Sequence, residues 1–492
     1  MLPLIVTFVI YIGIVFLIGF LASRRTKNLS DYILGGRHLP GPIVALGAGA
    51  SDMSTWLLLA LPGLIFVGGI NGIWVPVGLA IGAYLNWQFV AKRLRVFTQV
   101  NKDSLTLPAY FDNRFRDRTR ILRMVTALVI LIFFTFYVAA GFVAAALLMQ
   151  LLFGIHYMLA LLIGAGVIII YVFIGGFLAV SWIDFFQGCL MFIALVIVPV
   201  VAITHMGGVH ATMSHLTTLP HHYFDVFSGT SAILIFSYLA WGLGYSGQPH
   251  IVVRFMAARS SREIPIAQLI CMAWMIFALY LAVMTGFAGK AYFMPNMLAH
   301  PETVLIELTK SLLNPWLGGV VIAGALSAAM SATSAQLLAS ASAAAEDFYH
   351  MIRGPRTSPS QLMWVARLAV LVIGVIAVYL AHSPKSTIYA LVAYAWAGLG
   401  ASFGPIVILS LYWRRMTGNA AIAGMITAAL VVIGWSILGK YEGGIFTLFS
   451  IIPGFFANLA IIIIVSLASA PPSEQVTRRF DFALKVYKRN RY

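Results

Sequence analysis

Apolar residues run along this chain in stretches of about twenty or more, divided by short polar segments. Stretches of that length predict α-helices that cross a bilayer, since about twenty residues at a 1.5 Å rise span its hydrocarbon core. The strict alternation of a membrane β-barrel is missing. The stretches fall at roughly 3–23, 40–70, 73–91, 124–153, 158–178, 182–206, 229–253, 265–289, 314–345, 363–382, 386–412, 418–438 and 446–469. The expected fold class is therefore all-α: a polytopic membrane protein of about 13 transmembrane helices. Composition agrees, because only 9% of the 492 residues are charged and 61% are hydrophobic. A soluble domain carries about a quarter charged residues.

The net charge of +16 would suggest a nucleic-acid partner on a soluble chain. Here the basic residues sit in alternate inter-helix loops. With the N-terminus outside, all but Lys290, Lys310, Lys385 and Lys440 fall on the inner face, and the C-terminus is inside. Residues 4–22 lack a preceding basic segment and are followed by Arg24, Arg25 and Lys27, so they read as a first spanning helix rather than a signal peptide. Cys189 and Cys271 both lie in apolar segments and read as core residues.

Three polar segments stand out. The inner loop 92–123 is the longest and is expected to carry a short surface helix. The basic tail 470–492 is expected to rest on anionic lipid headgroups, with partner docking as the alternative. His205, His210, His215, His221 and His222 crowd the outer loop 205–222 at irregular spacing, which fits a solvated loop better than a zinc or pH-sensing site.

Asp52 is the sharpest chemical signal. It is the only charged residue between His38 and Lys92. A carboxylate at mid-membrane depth costs roughly 2.5–3.5 kcal/mol even on the lenient insertion scale. Gly47 to Ala50 precede it and Pro62-Gly63 follow, so the helix is expected to break there and face a cavity. A cation site and a helix-end charge at the interface are the two readings. A second break is expected at Trp241–His250, where three glycines and Pro249 cannot propagate an ordinary helix. Paired breaks five spans apart point to a secondary transporter built from repeats. The expected units are an extra helix at 1–23, five-helix repeats at 40–206 and 229–412, two extra helices at 418–469, and the tail 470–492.

The segments Tyr32–Arg37, Gly49–Ser54, Phe173–Trp182 with Asp184, Trp241–Tyr245, Gly247–His250, Ala393–Gly398 and Gly404-Pro405 occur in one order over residues 5–470. Together they resemble the sodium:solute symporter family, its bacterial proline-transporting branch in particular. The resemblance implies a leucine-transporter-type 5+5 inverted repeat. It also implies a carrier in the bacterial inner (cytoplasmic) membrane that imports L-proline with sodium by alternating access, without enzymatic chemistry. Carried over residue by residue, the sodium ligands would be the carbonyls of Ala50, Met53 and Ala328 and the hydroxyl of Ser331, with Asp52 adding negative potential. The substrate pocket would comprise Ser54, Trp56, Tyr137, Trp241, Tyr245 and Pro249, whose aromatic faces suit a ring bearing an ammonium group.

Two departures from the family pattern matter. The family commonly reads Met-Ser-Thr where this chain reads Met330-Ser331-Ala332, so a second hydroxyl is missing. Thr333 reaching in, a water in its place, weak sodium binding and proton coupling through Asp52 are the alternatives. Ala60 replaces a common glycine and leaves another small amino acid or a carboxylate as an alternative substrate; a transporter-like solute sensor is a further alternative. Asp184 belongs to the family pattern, but Ser181-Trp-Ile-Asp184 also reads as a capping box. Arg37 is explained by loop charge alone, and a gating role for both residues is the alternative.

Overall fold

The computed structural model describes all residues except 1, 118, 220–222, 228–229, 296–297, 354–356, 384–387 and 490–492. His221 and His222 of the outer loop, and Arg118, Arg356, Lys385 and Arg491 of the charge pattern, lie outside the described residues. Among the described residues the regular structure is helical, and 10 helical runs are long and apolar enough to cross a membrane.

Two of those runs are too long for a single crossing. Gly41–Val100 has 60 residues and Tyr157–His205 has 49. A straight 60-residue helix would reach about 90 Å, three times the hydrocarbon core. Each run turns at a glycine whose φ is positive. Gly69 has φ 79° and ψ −151°, and its hydrogen faces the Tyr223 carbonyl where a Cβ would lie 2.2 Å away. Gly176 has φ 56° and ψ −149° and packs equally tightly on Tyr32. Both conformations favour glycine. Divided at these turns, and with the broken segment Ala232–Ala257 added, the runs return the thirteen apolar stretches of the sequence.

The helix Pro315–Ser342 lies at the centre, with nearly every residue from Gly318 to Ser342 buried. Its small residues let Tyr157–His205, Ile121–Phe153 and Gly41–Thr55 pack closely along it. Gly324, for example, meets the Leu190 carbonyl and the Ala194 methyl. Leu2–Ser23 docks outside this centre and exposes Leu2, Ile5, Val9, Ile10 and Leu17. Such an apolar outer surface suits lipid rather than water.

The tail forms a helix, Glu474–Arg489, whose apolar face packs on Lys92–Val100 and Leu107–Phe115. Phe480 lies 5.5 Å from Phe97, the Arg114 guanidinium covers Phe480 at 4.7 Å, and Asp481 pairs with Arg414 at 2.9 Å. The tail therefore folds back on the protein, because its apolar stripe finds a partner there. Its exposed face carries Arg478, which pairs with Glu474, and Lys485, Lys488 and Arg489. The helix Leu107–Phe115 expected on the surface is instead largely buried, with Tyr110 and Phe111 in the core. In the outer loop His210 and His215 are exposed on the short helix Val209–Leu216.

Candidate functional site

Both expected breaks are present, and they face each other. In the first, Gly41–Thr55 stops at Ser54, whose φ of 43° and ψ of −168° are non-helical. A non-glycine residue there stores roughly 1–3 kcal/mol of strain. The break interrupts the regular ladder of the last turn, which contains Ala50 and Met53, and the Met53 carbonyl accepts from the Trp56 N–H across it. A wide helical turn, Trp56–Ala60, and the helix Leu61–Gly68 continue the chain beyond it.

The second break runs through a tight 3-10 segment, Ala240–Gly247, and restarts at Pro249, the first residue of Pro249–Ala257. Proline suits that position because a first-turn N–H has no helical partner to lose. The freed backbone groups find partners in neighbouring helices. The Trp396 indole donates to the Trp241 carbonyl at 2.9 Å, and Asn86 donates to the Tyr245 carbonyl at 3.4 Å. Gln248 in turn donates to the Trp396 carbonyl at 3.0 Å. The segment also lies backbone to backbone on Trp74–Leu85, where a Cβ on Gly82 would fall 2.2 Å from the Gly242 carbonyl oxygen.

At the meeting point, Tyr245 Oη donates a 2.7 Å hydrogen bond to Asp52 Oδ2. Asp52 is half-buried and opens on a small cavity also lined by Ser54, Trp56, Tyr137, Trp241 and Trp396. The Trp241 ring lies 6.2 Å from Trp56, 6.0 Å from Trp396 and 5.2 Å from Phe449, forming one aromatic layer. Beyond the layer is a cavity of about 750 Å³, lined by Ala60, Tyr238, Glu302 and Phe449 among others. It lies on the face away from the basic loops.

The sequence-predicted residues separate into groups. Ser54, Trp56, Tyr137 and Trp241 line the small cavity, and Tyr245 braces Asp52 beside it. Pro249 lines a different cavity with Phe177, His250 and Arg254, on the basic-loop side. Ala50, Met53, Ala328 and Ser331 are all buried where Gly41–Thr55 packs on Pro315–Ser342. Ser331 Oγ donates to Asp184 Oδ1 at 2.6 Å, which leaves its lone pairs free for a cation. Thr333 does not reach in: its hydroxyl donates to its own helix at Ala329, 2.6 Å away, and faces Gly141 of Ile121–Phe153.

Asp184 is not a helix cap. Ser181 and Asp184 lie inside the continuous run Tyr157–His205, where the Ser181 hydroxyl bonds the Phe177 carbonyl of its own helix. The turn that starts this half of the run is at Gly176, so the serine falls too late to cap it. Asp184 instead forms a buried ion pair with Arg254 at 2.5 Å, and Arg254 also donates to Ser181 at 2.7 Å. Arg254, Gln248 and Trp396 were missed as site residues by sequence reasoning. Trp396 lies in the recognised segment Ala393–Gly398, and that segment was the available signal.

Arg37 closes the basic-loop face. Its guanidinium bonds the Met256 carbonyl at 2.5 Å, the Ser104 carbonyl at 2.8 Å and Asp103 at 2.8 Å. Burial pushes its pKa down to about 10, with Arg95 nearby acting the same way and Asp103 opposing, so it stays charged at neutral pH. Next to it, Leu39 and Ala258 pair as an isolated bridge, tying together the basic-loop ends of the two broken helices. Among the described residues no group of three or more His, Cys, Asp or Glu side chains could hold a metal ion.

The chain resembles known proteins over most of its length. A model of the sodium:solute symporter family matches residues 32–428. The chain is 47% identical over 484 residues to a sodium/proline symporter of Escherichia coli K12, covering 97% of this chain and 95% of that protein. It is 46% identical over 467 residues to a high-affinity proline transporter of Bacillus subtilis 168, covering 94% and 98%. Among solved structures, a Na⁺-coupled sialic acid symporter in a substrate-bound, outward-open state superposes with a TM-score of 0.82. That match covers 96% of this chain and 99% of the other at 20% identity, which speaks to the fold.

Proposed function

This chain belongs to the sodium:solute symporter family, and we propose that it is a secondary active transporter that imports L-proline with sodium by alternating access. The observation that carries the reading is the Tyr245–Asp52 hydrogen bond, where two broken helices meet beside a cavity walled by tryptophans. Near-full-length likeness to two bacterial proline transporters supports the substrate. No bond is made or broken in this reading, so the protein acts as a carrier and not as an enzyme.

In this reading Ser54, Trp56, Tyr137, Trp241 and Tyr245 form the substrate site, and Pro249 lies on the path beyond it. The aromatic faces attract the secondary ammonium of proline, each by about 0.5–2 kcal/mol, and pack on its ring. Sodium is held by the carbonyls of Ala50, Met53 and Ala328 and the hydroxyl of Ser331. A small hard cation needs several such oxygens to replace its water. Asp52 supplies the negative potential. The wide cavity is the outer vestibule, the aromatic layer is the outer gate, and the Arg37 clamp with the Asp184–Arg254 pair holds the inner side shut.

The basic loops and the C-terminus face the cytoplasm, and the N-terminus faces outward across a bacterial inner membrane. Residues 40–206 and 229–412 are the two inverted repeats that rock against each other. One observation favours a second reading, coupling to protons. Ala332 offers no hydroxyl, Thr333 is turned away, and the Asp52 carboxylate at the break can take up a proton.

The test is uptake of labelled L-proline into proteoliposomes, with sodium and proton gradients imposed independently. The expected result is uptake that follows the sodium gradient and is competed by unlabelled proline. Uptake that ignores sodium and follows an inward proton gradient would overturn sodium coupling. Failure of proline to be taken up or exchanged would overturn the substrate.

A further inference from the structure

A cavity on the basic-loop side of the breaks is lined by Phe177, Pro249, Leu338 and Asp347 among others. Asp347 is fully buried. Its Oδ1 is heavily used: Thr106 donates to it at 3.0 Å and Arg123 at 2.7 Å. Its Oδ2 is buried and has no partner among the described residues. A buried carboxylate oxygen left without a donor is costly, so its retention asks for an explanation. Asp347 also stands on a wide helical turn, Ala343–Tyr349, that follows the ion-site helix Pro315–Ser342 directly. Widened turns of this kind recur at functional sites.

From Ser331 to Asp347 is sixteen residues, about 24 Å along a helix. The carboxylate therefore cannot share the ion site at the break. It sits further along the same helix, on the side to which cargo must leave. The other polar residues in the lining are Thr106, His250, Arg254 and Ser342, and the rest are apolar. Arg254 is already paired with Asp184, so the unpaired carboxylate oxygen of Asp347 is the group in this lining that favours a cation.

We propose that Asp347 Oδ2 is a transit site for the small cation leaving toward the basic-loop face, reached after the ion has left Ser331. The cation is the coupling sodium ion or the ammonium group of the amino acid, which share this chemistry. The inference rests on the symport reading above. Arg123 tunes the site: its guanidinium neutralises part of the carboxylate through Oδ1 and is held by the Glu346 carbonyl and carboxylate at 3.0 Å each. Thr106, which caps Leu107–Phe115 by accepting from the Ala109 N–H, also donates to Oδ1 and so helps fix the carboxylate's rotation.

The test measures how sodium on the basic-loop side inhibits sodium-driven proline uptake in oriented membrane vesicles. In Asp347→Asn the half-inhibiting internal sodium concentration should rise at least about fivefold, since a unit charge is removed from a low-dielectric site. In Arg123→Gln it should fall, because the carboxylate then faces the cation without competition. If Asp347 only latches the helices through Arg123, both substitutions loosen the same contact and shift the curve in the same direction, which overturns the proposal. Arg123→Gln alone carries the test if Asp347→Asn fails to accumulate, with a fall supporting and no change or a rise refuting. Repeating the series with internal proline in place of sodium separates the sources. A shift with sodium assigns the coupling ion, a shift with proline alone assigns the ammonium, and no shift with either overturns the site. Unmodified protein indifferent to external sodium would overturn the symport reading itself. Intact sodium-driven uptake with an unshifted Asp347→Asn curve overturns the transit site alone.

Discussion

Replacing Ser331 with alanine separates two roles that the structure gives one hydroxyl. The oxygen donates its hydrogen to Asp184 at 2.6 Å, and its lone pairs are the proposed sodium ligand. The bond to Asp184 does not depend on sodium, so it cancels between the free and bound states. Its loss appears as stability: a hydrogen bond to a charged group is worth about 1.5–3 kcal/mol. Asp184 keeps its pair with Arg254, which places the cost at the lower end. The loss of a ligand does not cancel. Taking one charge–oxygen contact as about 1.5–3 kcal/mol, half-saturating sodium should rise roughly tenfold to a hundredfold. The assay is labelled-proline binding to purified protein over a sodium series, with thermal unfolding measured in sodium-free buffer. A lowered unfolding temperature with half-saturating sodium unchanged within about twofold would refute the reasoning, and Ser331 would then merely brace Asp184.

Other substitutions test neighbouring parts. Gly82→Ala drives a methyl group into the Gly242 backbone, where no flexible side chain can yield; the protein should lose thermal stability and transport together, and unchanged behaviour of both would contradict the close approach of the second break. Arg254→Ala leaves the Asp184 carboxylate buried and unpaired, a loss of about 3–5 kcal/mol, while Arg254→Leu with Asp184→Leu should recover much of the folded yield. Recovery by size-exclusion profile checks this, and equal yields of the single and double variants would contradict it. Trp241→Ala removes the centre of the aromatic layer. Proline affinity should weaken roughly tenfold by equilibrium binding while membrane insertion is kept, given about 0.5–2 kcal/mol per cation–ring contact. Unchanged affinity would take Trp241 out of the site.

The helices and both breaks were legible because hydropathy, glycine and proline act locally. Asp52 marked the first break, but the strained residue is Ser54, two positions on. Beside it Trp56 and Trp241 lie 6.2 Å apart, a contact between distant parts of the chain that no local pattern encodes. Ser181 and Asp184 fitted a cap by spacing alone. The Gly176 turn, made possible by close packing on Tyr32, moves the start of that helix upstream and frees Asp184 for Arg254. A partner seventy residues away carries no short-range signal. Thr333 reaching into the ion site was one alternative by sequence, and Gly141, distant in the chain, gives its side chain room elsewhere. The basic tail showed its charge more plainly than its apolar stripe, so its docking on Phe97 and Arg114 was hidden.

The central claim is that Asp52, braced by Tyr245 where the two breaks meet, makes proline binding depend on sodium. Equilibrium binding of labelled proline to purified protein, in sodium or in an equal concentration of choline, measures it most directly. The account predicts that sodium raises proline affinity at least tenfold in the unmodified protein and that Asp52→Asn binds alike in both salts. Sodium-dependent binding that survives Asp52→Asn would contradict it, as would unmodified protein that binds proline equally well without sodium.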